Sequence, residues 1–173
     1  MSTALKAAVL TVSDTRTAET DTSGSFLEEA LSAAGHEVVA RQIVIDDVYQ
    51  LREVLSRWIA DPEVEVVLTT GGTGFSGRDS TPEAVVPLFD KVIEGFGEVF
   101  RALSLNEIGS STIQSRAVAG MANGTVVFCM PGSTGACRTA WEGVLRDQLD
   151  VGDLLGPCLP DTAPRCQMTG PHS

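Results

Sequence analysis

A chain of 173 residues with 43% hydrophobic and 20% charged residues has the size and balance of one globular domain with a substantial core. Its net charge of -11, with lysines and arginines scattered singly, excludes nucleic acid as the main ligand, because phosphate backbones are held by clustered cations. No apolar run approaches the roughly 20 residues that span a bilayer, and the first residues run into a strand without a signal-peptide stretch. No membrane role and a cytoplasmic location are therefore expected.

In chain order, KAAVLTV at 6–12 reads as a buried strand ending at Ser13-Asp14. A helix is expected over 25–34, with Ser25 and Glu28 as a capping box and Gly35 as its stop. Residues 37–45 read as a second strand, followed by Asp46. A helix over 47–60 follows, opened by Asp47 and Gln50, with Val48, Leu51, Val54, Leu55, Trp58 and Ile59 at helical spacing. Residues 64–70 form an apolar third strand. Thr81-Pro82-Glu83 fits an N-cap, a proline at the first helical position and an acid in the first turn. Pro87 then shortens or kinks that helix. A further helical piece is expected over 98–103, a strand over 125–130, and a last helix over 134–149. Strands alternating with helices predict an α/β fold: a three-layer α/β/α domain over 1–150 with a mostly parallel sheet. From Gly152 onward four prolines predict an irregular tail, 151–173, packed on the domain or on a neighbouring subunit.

Open α/β sheets bind ligands beyond the carboxyl ends of their strands. Four polar loops are expected there: Ser13-Asp14, Asp46, the glycine loop after the third strand, and Pro131-Gly132-Ser133. The glycine loop runs Thr70-Gly71-Gly72-Thr73-Gly74-Phe75-Ser76-Gly77-Arg78-Asp79-Ser80-Thr81. Glycines expose backbone N–H groups to a ligand, and a following helix start favours an anion. Arg78 is the cation expected to meet a phosphate. Asp79 beside that phosphate requires an intervening cation, for which Mg²⁺ is suited; Asp46 is the second candidate ligand. Each residue also has a plain structural alternative: turn stabilisation for Ser13, Asp14 and Asp79, capping for Asp46, a helix start for Ser133. Ser115-Arg116 fits either a ligand contact or a subunit contact.

Two rival signatures fail. Residues 72–77 satisfy G-x-G-x-x-G, but four residues intervene before the helix and the strand is the third, so a dinucleotide site is not expected. A Walker lysine is absent. No Cys-x-x-Cys occurs, which argues against zinc. Cys129 reads as a buried reduced thiol, while Cys158 and Cys166 in the tail could pair in an oxidising medium. His36 and His172 read as surface residues.

The ordered set TVSDTR at 11–16, DTSG at 21–24, TGGTG at 70–74, RDSTPEA at 78–84, GFGE at 95–98, SRA at 115–117 and MPGS at 130–133 resembles the MogA/MoaB family of molybdenum cofactor biosynthesis, most closely its MoaB branch. The resemblance implies a molybdopterin-binding fold assembled as a homotrimer or homohexamer. It also implies adenylylation of molybdopterin with ATP and Mg²⁺, pyrophosphate leaving and the product passing to a MoeA-like molybdenum insertase. Asp79 matches the family's catalytic aspartate in its R-D-x-T-P motif and Asp46 its second important aspartate; both are the expected Mg²⁺ ligands. The glycine loop and the Pro131-Gly132-Ser133 turn match pterin and phosphate binding. Ser13, Asp14, Ser23, Gly24, Thr70, Gly71, Gly72, Thr73, Gly74, Arg78, Thr81, Pro82, Glu83, Ser115 and Arg116 complete the expected substrate-binding set. The chain departs from many transferases at Thr134, where a proline commonly follows. The competing expectation is a molybdopterin-binding or scaffold protein without chemistry.

Overall fold

The computed structural model describes residues 4–150. The expected tail, with Cys158, Cys166 and His172, lies outside the described residues. One six-stranded sheet runs in the order β2-β1-β3-β6-β5-β4. Its strands are β1 (Lys6–Val12), β2 (Glu37–Val44), β3 (Val66–Thr70), β4 (Lys91–Val92), β5 (Val118–Ala122) and β6 (Thr125–Met130). β2, β1, β3 and β6 are parallel, and β5 and β4 extend the sheet antiparallel. The helices are α1 (Thr22–Ala33), α2 (Val48–Ala60), α3 (Thr81–Val85), α4 (Glu94–Ile108), α5 (Thr134–Ala140) and α6 (Arg146–Gln148).

Alternation along the strands builds a core on each face of the sheet. Val9, Leu68 and Phe128 point to one side, where Leu27 and Leu31 of α1, Phe96 and Phe100 of α4, and Trp141 and Leu145 close over them. Ala8, Leu10, Val67 and Cys129 point to the other, against Leu51, Val54, Leu55 and Trp58 of α2 and Ala84 and Val85 of α3. The three-layer, mostly parallel architecture is the expected one. Among the described residues no helix is long and apolar enough to cross a membrane.

Four local expectations are corrected. α1 begins at Thr22 rather than Ser25, because Asp21 caps it by accepting from Gly24 N at 2.9 Å. Ser25 and Glu28 do not form a capping box; both accept from Arg41 of β2 instead. The helical piece expected over 98–103 is the middle of the 15-residue α4. The helix expected over 134–149 is interrupted by a widened π-helical turn, Trp141–Leu145, between α5 and α6.

β4 and β5 were not foreseen. β5 and β6 form a hairpin closed by Asn123 and Gly124, both at positive φ (50° and 80°), the conformation of a type I′ turn. His36 is buried, not a surface residue: its Nδ1 accepts from Leu5 N at 3.2 Å, and burial pushes its pKa down. Glu65 is likewise buried, accepting from Lys6 N at 2.8 Å, and β3 starts one residue later at Val66. Asp47 caps α2 as expected, accepting from Tyr49 N and Gln50 N.

Candidate functional site

The carboxyl ends of β1, β2, β3 and β6 bring the four polar loops to one rim. Gly71 and Gly72 take φ of 106° and 71°, which side-chain-bearing residues rarely adopt. Space demands glycine as well. A Cβ on Gly71 would lie 2.2 Å from Val12 O, and one on Gly72 2.2 Å from Thr81 Oγ1. Gly71 N donates to Met130 O at 3.0 Å, which threads the loop between the ends of β1 and β6. Thr81 is fully buried and ties α3 back to the loop: its N donates to Gly72 O and its Oγ1 to Gly71 O.

The two candidate aspartates flank this glycine run. An added Cβ would lie 2.9 Å from Asp46 Oδ2 at Gly72, and 2.7 Å from Asp79 Oδ2 at Gly74. Asp46 Oδ1 accepts from Ser80 N at 3.0 Å and from Ser80 Oγ. Asp79 Oδ2 accepts from Ser76 N at 2.8 Å, and its backbone oxygen accepts from Arg116 at 2.9 Å. Among the described residues no group of three or more His, Cys, Asp or Glu gathers as a metal site. Carboxylate oxygens such as these are the ligand type Mg²⁺ takes, a hard cation held through one or two carboxylates with phosphate oxygens and water completing its shell.

Arg78 pairs within the domain with Asp14. It forks onto Asp14, Nε to Oδ2 at 2.9 Å and Nη2 to Oδ1 at 2.8 Å. Asp14 Oδ1 also accepts from Asp46 N at 3.0 Å. The Arg78 hydrogen bond first, and the Asp46 N–H second, hold the Asp14 carboxyl below its usual range. Arg78 therefore braces the β1 and β2 loops against the glycine loop.

A cavity of about 540 Å³ opens beside the rim. Ser13, Ser23, Thr70, Gly71, Gly72, Thr73 and Gly74 line it, with Asp79, Ser115, Pro131, Gly132 and Ser133. Ser23 Oγ donates to Gly132 O at 2.6 Å and Thr70 Oγ1 to Pro131 O at 2.9 Å, joining the walls; Ser133 caps α5 through Ala136 N. Ser115 is among the lining residues, but its Oγ is buried and has no hydrogen-bond partner among the described residues.

A smaller cleft of about 440 Å³ is lined by Phe75, Ser76, Ser80, Glu83 and Arg116, and Asp79 lines both hollows. Arg116 is engaged there by Glu83, Gly74 O and Asp79 O. That hydrogen bond, ahead of any other cause, holds Glu83 below its usual pKa. Asp14, Gly24, Asp46, Arg78, Thr81 and Pro82 line neither hollow; Gly24, Asp46, Arg78 and Thr81 hydrogen-bond to residues that do.

The motifs do not reveal the opposite wall of the larger cavity. Phe100, Ser104, Glu107, Ile108 and Ser111 line it from α4 and the turn that follows, with Thr139 from α5. Arg16 is the one lysine or arginine on its lining among the described residues. It stood in a matched stretch, but nothing local distinguished it from other loop arginines.

Comparison with known proteins agrees with this geometry. Residues 8–151 match the family described as "Probable molybdopterin binding domain". The chain is 58% identical over 144 residues to molybdenum cofactor biosynthesis protein B of Escherichia coli K12, covering 83% of this chain and 85% of that protein. It superposes with TM-score 0.83 on a crystal structure of molybdenum cofactor biosynthesis protein B at 46% identity, covering 86% of this chain and 93% of the other. The tungsten cofactor synthesizing protein MoaB of Pyrococcus furiosus superposes with TM-score 0.76 at 40% identity, over 84% of this chain and 92% of that one. With this domain matched over most of its length, and with its glycine loop and flanking aspartates in place, the chain belongs to the MogA/MoaB family.

Proposed function

We propose that this molybdenum cofactor biosynthesis protein binds molybdopterin in the larger cavity and adenylylates its terminal phosphate, using ATP and Mg²⁺. One observation carries the reading: Asp79 lies on the wall shared by the two hollows. A pterin phosphate in the larger and a nucleotide in the smaller would then meet at one carboxylate. An oxygen of the molybdopterin phosphate attacks the α-phosphorus of ATP. A new P–O bond forms, the bond to the β-phosphate oxygen breaks, and pyrophosphate leaves with the electron pair.

No protein nucleophile is required. Asp46 and Asp79 would hold Mg²⁺, which supplies charge neutralisation on the phosphates. The backbone of the 71–74 loop orients the attacking phosphate, so rate comes from positioning and electrostatics. The family resemblance extends the proposal to a homotrimer or homohexamer that passes its product to a MoeA-like insertase.

The test is incubation with molybdopterin, ATP and Mg²⁺, with detection of adenylylated molybdopterin. Asp79→Ala is expected to abolish product while circular dichroism and Tm stay near those of the parent. Unchanged turnover by that variant sinks the assignment. A second reading, binding without transfer, draws on Arg116: the cation of the smaller cleft is already engaged by Glu83 and two backbone oxygens. Molybdopterin binding with no adenylylated product, under conditions where a known transferase succeeds, establishes that reading instead.

A further inference from the structure

The far wall of the larger cavity has a chemistry of its own. Phe100, Ser104, Glu107, Ile108 and Ser111 recur at the spacing of one helical face along α4 and the turn after it, and all five line the cavity. Thr139 of α5, itself 8% exposed, donates to Glu107 Oε2 at 2.6 Å across this wall. The hydroxyl fixes one carboxylate oxygen. Among the described residues no cation pairs with Glu107, so its charge is not neutralised by an ion pair within the domain.

Arg16 and the N–H groups of Gly72, Thr73 and Gly74, which take no hydrogen-bond partner among the described residues, favour an anion once the Asp79 carboxylate on the same lining is screened by the proposed Mg²⁺, whereas Glu107 repels one. Thr139 lies six residues along the helix from its cap, Ser133, a separation of about 9 Å at helical rise. A fused tricyclic ring system bridges such a span.

From this we infer that Glu107, held by Thr139, is the specificity-determining group for the ring end of the ligand, and that it reads a 2-amino-4-oxopyrimidine edge. That edge presents two adjacent N–H donors, from the 2-amino group and N3, which match an acceptor-only carboxylate. Adenine offers one donor beside an acceptor at its corresponding edge and matches poorly. Ile108, 56% exposed, supplies apolar surface for a planar ring, while Phe100 is buried in the core behind it. The ligand is thereby oriented, phosphate to the glycine loop and amino-oxo edge to α4. The inference rests on the reading of this cavity as the molybdopterin site.

The experiment is fluorescence titration of the full chain with two side-chain-free probes, 2-amino-4-oxopteridine and 2,4-dioxopteridine. The second replaces the amino donor with an acceptor. The parent protein is expected to prefer the amino compound by at least about tenfold. Glu107→Gln, which offers one donor and one acceptor, is expected to erase or invert that preference while Tm is unchanged, Glu107 being exposed. Thr139→Val is expected to narrow it without inversion. Retention of the full preference by Glu107→Gln overturns the assignment of Glu107 and leaves the molybdopterin reading standing. Failure of the parent to bind either probe overturns the ring-end inference, and the adenylylation assay then decides separately whether the cavity takes molybdopterin.

Discussion

At the residue scale, the glycine loop shows how a composition signal becomes a geometric constraint. Gly72→Ala would force a side-chain-bearing residue to φ of 71° and drive its Cβ against Thr81 Oγ1, whose hydroxyl secures Gly71 O. We expect a loss of about 2–4 kcal/mol in urea unfolding, with a matching fall in Tm. The cysteines carry the opposite message. Burial pushes the Cys129 thiol up to about 12 and Cys137 up to about 11, with Thr69 and Thr70 only partly opposing it. Both should resist alkylation at pH 8 in the folded protein and react only after denaturation, as peptide mass mapping would show. Modification of either thiol at the rate of a free cysteine would contradict the burial. The rich motif residues were legible in the sequence. Arg16, Glu107 and Thr139 were not, because a single polar residue on a helix or loop has no local signature of facing a cavity.

At the scale of elements, the start of α1 is decided by a tertiary ion pair. Asp21 has a fully buried side chain that accepts from Thr11 Oγ1 at 2.7 Å, Gly24 N at 2.9 Å and Arg41 Nη2 at 3.1 Å. Burial alone would raise its pKa, but these hydrogen bonds outweigh it and leave the carboxyl below its ordinary value of 3.8. Its contribution to stability is therefore complete above the unfolded-state value and is lost as pH falls through the lower folded-state value.

Arg41→Met leaves that buried carboxylate without its cation. We expect a deficit of about 2–3 kcal/mol near pH 7, below the full range for a buried pair because Arg41 is partly exposed. The deficit should shrink as pH drops below 4, measured by urea unfolding across a pH series. A pH-independent deficit would locate the effect in packing instead. The sequence pointed to Ser25 and Glu28 as the cap because their spacing is locally complete. Asp21 wins because β2 delivers Arg41 to it from 20 residues away, a pairing no local window contains.

At the scale of the whole molecule, the described domain leaves several apolar side chains uncovered on α4 and the turn after it. Val99, Leu105, Ile108 and Ile113 are 47%, 53%, 56% and 69% exposed. Leu105→Glu is expected to shift the protein to a smaller species in sedimentation velocity if the trimeric or hexameric assembly proposed above buries Leu105. A distribution identical to the parent's would direct the contact elsewhere. The architecture itself was readable at this scale. Alternating strands and helices defined three layers, and all four strands read from the sequence, β1, β2, β3 and β6, end at the ligand rim. The antiparallel edge was missed because Lys91–Val92 is two residues long and β5, VAGMA, is rich in small residues with little strand character.

The amino-acid sequence by itself determined the strand–helix alternation, the glycine loop, the aspartates beside it and the turn at Pro131-Gly132-Ser133. Each is written in contiguous residues through periodicity or backbone conformation. Only the tertiary structure decided that Arg78 braces Asp14, that Asp79 stands between two hollows, and that α4 and α5 close the larger one with Glu107 and Thr139. Those relations join residues 32 to 64 positions apart. Sheet order and helix packing set such distances, and no local pattern of residues encodes them.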